Sequence, residues 1–297
     1  MKDRTIKAVI TVLIVIGCLC FTCSCFDDDD LFSDYQESDY GYEDVFYGAS
    51  GYDWAIEDSI DTSNLMTMLD TFEDRYGIRV DLDGITNQSF NNSDTAYSFY
   101  ESADDMRYEM MLSLCTGFSR IPDELVELGL QVADFSVYLA VASDSGDEDV
   151  DGEYIPDENS MYLYCNFNPS TAVHEFNHML TYLLMSLYGS EQALCDRWMP
   201  LNEGIPYSCD YSSLSEDEQL HFYTDYASTD VYEDIAETAI LLADGSTPQS
   251  VTLKKKVELL HELYSELLAA NPEKLGIFGW MYDTGGVTDE YWDDYAA

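Results

Sequence analysis

Apolar residues recur at helical spacing over 65–76, and residues 77–84 then alternate apolar and polar like a strand closed by a turn. The spacing predicts a second helix over 95–115. Gly117-Phe118 and Ile121-Pro122 interrupt it before a short helix over 123–129. Residues 135–141 are apolar, partly β-branched and aromatic, and read as a strand. An acidic loop is expected over 143–159, with another strand over 161–167. From Ser170 onward the pattern is mostly helical. One helix opens at Pro169-Ser170, where Ser170 or Thr171 can cap it. It runs through Leu180, Leu183, Leu184 and Leu187, and stops at Gly189. A compact helix over 231–242 is stopped by Asp244-Gly245. A third, over 253–271, carries an apolar stripe of Val257, Leu260, Tyr264 and Leu267-Leu268. The expected class is α+β, with a small sheet and helices first and a mainly helical half second. No internal repeat is visible.

The two ends of the chain break this pattern. Lys2, Arg4 and Lys7 precede an apolar run over 8–17, so residues 1–25 read as an export leader outside the fold. Val15-Ile16-Gly17-Cys18 resembles a bacterial lipobox, and Ser24-Cys25 is a second candidate for the lipid-modified cysteine. The alternative is an uncleaved signal anchor, because residues 8–26 are nearly long enough to span a bilayer. Both readings place the body on the outer face of the cell membrane or free outside it. Residues 26–53 are rich in Asp, Tyr, Ser and Gly with no apolar period, and read as an acidic stalk. The folded body is expected over 54–297, its last residues, 283–297, forming a docked or frayed end.

Charge narrows the partners. Twelve Lys and Arg stand against 59 Asp and Glu, for a net charge of −47. Such a surface repels phosphate backbones and anionic headgroups, so nucleic acid is excluded as a partner, and it is compatible with capture of divalent cations. Lys254-Lys255-Lys256 is too short a run to change that. Cys115, Cys165, Cys195 and Cys209 remain in the body. In an exported protein they permit two disulfides in any of three pairings, or four free thiols.

The chemistry concentrates at His174-Glu175-Phe176-Asn177-His178. Residues four apart share a helix face, so the two imidazoles can hold one ion while Glu175 reaches a water upon it. Four histidines in 297 positions would give such a pair about 0.05 times by chance. A catalytic zinc takes three protein ligands and leaves one position open. Two carboxylates compete for the third place: Glu203, in Asn202-Glu203-Gly204, and Glu233. On the helix over 231–242, Glu233, Ala236, Glu237 and Ile240 share a face, so Glu237 can orient a ligand histidine from one turn further on. His221 and His261 read as structural.

Tyr226-Ala227 followed by Glu233-Asp234-Ile235-Ala236-Glu237 resembles the signature of a family of zinc metallopeptidases, mostly secreted bacterial lipoproteins. The same Tyr-to-Glu spacing is similar to that in the catalytic domain of anthrax lethal factor. Other pieces agree in order: Tyr76-Gly77-Ile78-Arg79-Val80, then Gly117-Phe118, then Trp198, Leu201-Asn202, Gly204 and Tyr207. Leu114-Cys115 departs from the family's usual Tyr-Pro. The resemblance implies a zincin-like fold in which an edge strand, here expected over 161–167, lines the cleft above the motif helix. It also implies Zn²⁺ held by His174, His178 and Glu233, with Glu175 as general base and Tyr226 as oxyanion donor. A monomeric, lipid-anchored peptidase acting on protein or peptide substrates is the leading expectation. A non-catalytic surface adhesin keeping the zincin frame is the alternative.

Overall fold

The computed structural model describes residues 56, 59–93, 99–132, 134–142 and 150–276. The leader, the stalk and the acidic end over 283–297 lie outside them. The first helix, α1 (Leu65–Tyr76), is capped by the Asn64 side chain, which accepts from Thr67 N, and ends at Gly77 with φ 72°. Only a residue free of Cβ takes that left-handed turn readily. It leads into β1 (Arg79–Gly84), the short α2 (Asn87–Asn92), and α3 (Ala103–Phe118), which Ser102 caps. Helix α4 (Asp123–Val132) follows, then β2 (Ser136–Ala140), β3 (Gly152–Ile155) and β4 (Ser160–Leu163).

The class is α+β, as expected. The helix expected over 95–115 begins only at Ala103, after the Ser102 cap, and two further local differences bear on the site. Gly117-Phe118 does not interrupt its helix; both belong to α3. Gly117 is the crossing point, where an added Cβ would stand 2.5 Å from the Pro169 carbonyl oxygen and 2.9 Å from Ala172 Cβ. The glycine that reads as a breaker therefore serves helix–helix contact.

The second difference is in the sheet, whose order is β1-β2-β4-β3. β1, β2 and β4 run parallel, and β3 pairs antiparallel with β4 at the edge. The expected strand over 161–167 is thus an interior strand, and the edge strand lies inside the expected loop over 143–159. Asn159 explains the hairpin. It takes φ 47° at the turn, its amide donates to the Asp134 carbonyl at 2.5 Å, and its side-chain oxygen accepts from Tyr154 Oη at 2.9 Å. Asparagine tolerates the left-handed turn because its short polar side chain bonds locally.

One face of the sheet buries Val80, Val137, Leu139, Met161 and Leu163 against the helices. An aromatic chain, Phe72–Phe118–Phe176–Phe135, runs through the core with ring centroids 5.3–5.7 Å apart, in edge-to-face contact. The helical half consists of α5 (Pro169–Tyr188), α6 (Glu191–Trp198), the one-turn α7 (Glu216–Gln219), α8 (Val231–Ala243) and α9 (Val251–Ala269). No helix of the described residues is long and apolar enough to cross a membrane. All four body cysteines are free thiols. Burial pushes Cys115 and Cys195 up to about 12 and Cys165 to about 11, so these three stay protonated and inert.

Candidate metal centre

Helix α5 presents the motif. Its cap is Asn168, two positions before Ser170, the nearer of the expected candidates. The Asn168 side chain accepts from Ser170 N at 2.8 Å and Thr171 N at 3.3 Å, and the Thr171 hydroxyl accepts from Asn168 N at 3.3 Å. Pro169 fills the first helical position, where the missing N–H costs nothing. Within the motif, Phe176 enters the aromatic core, and Asn177 receives the Tyr264 hydroxyl of α9 while its amide donates to the Val173 carbonyl at 2.8 Å. Phe176 and Asn177 thus fix the helix in place.

Helix α8 brings the third group. Asp230 caps it, accepting from Tyr232 N at 2.7 Å and Glu233 N at 3.0 Å. Glu233 Oε2 then lies 2.8 Å from His174 Nε2 and 3.5 Å from His178 Nε2, and the two imidazole nitrogens are 3.0 Å apart. Two nitrogens bound about 2.0–2.1 Å from a tetrahedral ion stand roughly 3.3–3.4 Å from each other. The observed spacing of 2.8–3.5 Å brackets that value. Among the described residues, these three form the group whose ligand atoms converge as a metal requires.

The hydrogen bonding around the group supports the same fit. His174 Nδ1 faces Glu237 Oε1 at 2.9 Å, the expected orienting contact from one turn further along α8. A proton on Nδ1 commits the Nε2 lone pair inward, where it meets a carboxylate oxygen and a second imidazole nitrogen. Such a centre needs a positive charge, from a cation or a proton. Burial pulls His174 down, but the Glu233 and Glu237 carboxylates outweigh it and push His174 up to about 10. Burial pushes Glu233 up, but the two histidines win and hold it well below the usual carboxylate range.

Glu175 sits on the same turn and is buried. Burial raises its pKa, while His178 and His174 pull the other way. The backbone of Tyr154, on β3, hydrogen-bonds its carboxylate. The close approach depends on Gly152: a Cβ there would stand 2.9 Å from Thr171 Cγ2, 3.0 Å from Leu163 Cδ2 and 3.1 Å from Glu175 Cγ. Edge strand β3 thus lies directly against the motif helix. Together they wall a cleft of about 370 Å³, lined also by Tyr226, Asp230 and Glu233.

Tyr226, on the short turn Tyr226–Ser228, is 52% exposed, and its ring centroid lies 5.8 Å from that of His174. Burial, with Glu233 and Glu175 nearby, raises its pKa well above the usual tyrosine value, so its hydroxyl keeps its proton. Thr224 ties this turn to the centre. Its hydroxyl donates to Glu237 Oε2 at 2.9 Å and accepts from Ala227 N at 3.1 Å.

Glu203, the alternative third ligand, is elsewhere. It follows the turn Met199–Asn202 in a left-handed conformation with φ 54°. Its side chain is 64% exposed, 4.0 Å from Lys255 Nζ. The turn aims it outward while Asn202 takes the inward position. His221 and His261 stay outside the cleft. Sequence reasoning missed β3 with Gly152, the Asp230 cap and Thr224. The alternation through Glu153-Tyr154-Ile155, and Asp immediately before an apolar helical run, were the available signals. Compared with protein-family models, curated proteins and solved structures, the chain gives no match.

Proposed function

We propose that this chain is a zinc-dependent peptidase of the gluzincin type, with a zincin-like fold, carried outside the cell on a lipid anchor at Cys18 or Cys25. The observation that carries the reading is the convergence of His174, His178 and Glu233 beside a buried Glu175, in a cleft walled by an edge strand. When bound, zinc supplies Lewis acidity that polarises a carbonyl and lowers the pKa of water to about 7.

The chain supplies the rest. Strand β3 offers backbone groups to an extended peptide laid along the cleft, a pairing that places the scissile bond over the motif helix. Glu175, with its proton affinity raised by burial, takes a proton from the attacking water and delivers it to the leaving amine. Tyr226 keeps its hydroxyl proton and donates a hydrogen bond to the carbonyl oxygen as charge develops there. Glu237 holds the His174 ring through Nδ1, which keeps the Nε2 lone pair inward.

Elemental analysis of protein made with zinc available should find about one zinc per chain. Glu175→Gln should keep that zinc and the fold while lowering peptide turnover about 10²- to 10⁴-fold. No stoichiometric metal in the wild-type protein would sink the reading. Turnover unchanged in Glu175→Gln would instead favour a binding module on the same frame.

A further inference from the structure

Asp234 follows the third ligand directly and projects about 100° further round the helix, away from the cleft. It is fully buried, and its Oδ2 accepts from three donors on three separate segments. Trp198 Nε1 reaches it at 2.9 Å from the end of α6, Tyr207 Oη at 2.6 Å from the loop beyond, and Lys256 Nζ at 2.6 Å from α9. Lys256 is itself fully buried; it also donates to the His221 carbonyl at 2.7 Å and lies 4.7 Å from the Phe222 ring centroid. Trp198 and Tyr207, noted in the sequence only through the family resemblance, are thus gathered on Asp234 and not on the cleft.

We infer that Asp234, held by Trp198, Tyr207 and Lys256, is a positioning residue that fixes the rotation of α8 and so places Glu233 at the metal. The inference rests on the metallopeptidase reading.

Successive helical residues project about 100° apart, so locking Asp234 inward determines where Glu233 points. A carboxylate roughly 6 Å from the helix axis moves about 1 Å for each 10° of rotation. Metal–ligand distances tolerate only about 0.2 Å. Small apolar side chains on the buried side of α8, such as Ala236 and Ala239, allow rotation of that size, because dispersion contacts have little directionality. Three hydrogen bonds of 2.6–2.9 Å on a single oxygen do not. The Asp230 cap fixes where α8 starts, and Asp234 fixes its angle.

The test is a chelator-competition titration of Zn²⁺ on the full chain, alongside thermal melting of the metal-free protein. Asp234→Ala combined with Lys256→Met removes the lock without leaving one charge buried alone. Expected is an affinity loss of about tenfold or more. Asp234→Asn with Lys256→Met keeps an acceptor for Trp198 and Tyr207 and should recover part of it. Phe72→Leu, in the core beneath α1, is the control for general destabilisation and should leave zinc affinity unchanged. Glu233→Gln marks the loss of a ligand.

If the wild type binds zinc and Glu233→Gln weakens it, while the Asp234/Lys256 double variant binds as wild type, the inference is overturned and the metal site stands. If the wild type binds no zinc, the functional reading itself has failed. Should the double variant not fold, Trp198→Phe is titrated in its place. It removes one donor and uncovers no charge, so about a twofold or greater loss is expected, and unchanged affinity overturns the inference.

Discussion

The chain up to the end of β4 and the helical half after it are stabilised differently. Among the described residues, the first part buries side chains such as Phe72, Met106, Phe118 and Val137, and its buried polar groups are the neutral Thr116, Asn159 and Ser160. The second buries Glu175, Asp234, Glu237 and Lys256 together with His174. In the first part any well-fitting apolar side chain contributes, because the stabilisation follows area removed from water. In the second each buried charge is costly unless its partner is in place, so stability depends on geometry. Helix α8 is where the difference is sharpest: Glu233 on one side meets the histidines, Asp234 on the other meets Lys256. A region that keeps charges in its interior holds those groups in a fixed geometry at the cost of tolerance.

The largest expected effect tests that cost. Lys256→Met alone leaves the Asp234 carboxylate buried without its cation, and should lower the unfolding free energy by about 3–5 kcal/mol. Urea titration is the measurement. The paired change at Asp234 and Lys256 should recover much of the loss, since apolar replacements of buried ion pairs are often close to neutral. Phe72→Leu in the first half, a large-to-similar apolar swap, should cost less than about 1.5 kcal/mol. Equal losses for Lys256→Met and Phe72→Leu would erase the contrast between the halves.

Metal should act on the second half. If zinc binds only the folded centre, free zinc at 100 times Kd adds about 2.7 kcal/mol to stability. Melting with and without zinc measures this gain. It should vanish in His178→Ala and persist in Phe72→Leu. A gain that survives His178→Ala would place the ion elsewhere.

Gly152→Ala strains the seam between the two parts. The new methyl would meet Thr171, Leu163 and Glu175 at 2.9–3.1 Å, so either β3 or α5 must move. The expected cost is about 1–3 kcal/mol. If the edge strand is what gives way, then under the proposed function peptide turnover should fall more than zinc affinity, since His174, His178 and Glu233 lie on other elements. Turnover equal to wild type would remove β3 from the cleft's function.

The same contrast decides what can be read from the residues. Helix α1, strands β1 and β2, and most of α5, α8 and α9 follow apolar periodicity, which burial enforces. The convergence of His174, His178 and Glu233 is legible in the sequence because a metal centre would demand those residue types at that spacing. Strand β3 was not: its burial is partial throughout, and acidic residues precede it. The edge and interior roles of β3 and β4 were exchanged for that reason, since periodicity carries no information on which strand lies outermost. Nor was the partnership of Asp234 with Lys256 legible, because a lysine 22 positions away reads as a solvated charge until the fold encloses it.

The smallest effect lies on the surface of the helical half, where the same kind of contact is open to solvent. Arg197 grips Glu266 with both guanidinium nitrogens, at 2.9 and 3.0 Å, and the Tyr188 hydroxyl donates to the same carboxylate at 2.6 Å. The hydrogen bonds from Arg197 and Tyr188 outweigh the slight burial and lower the Glu266 pKa from its ordinary value. A carboxylate whose folded pKa is depressed contributes stability above its unfolded value, about 4.3, and loses it as pH falls through the folded one. Glu266 is 39% exposed, so solvent screening limits the contribution to less than about 1 kcal/mol. The stability difference between wild type and Glu266→Gln, from urea titrations, should therefore be present at pH 6.5 and shrink at pH 3.5. Raising the salt at pH 6.5 should shrink it as well, because the pair is exposed. A difference that is unchanged at pH 3.5 and insensitive to salt would mean that Glu266 acts through packing, and that this outer contact belongs with the apolar half in kind.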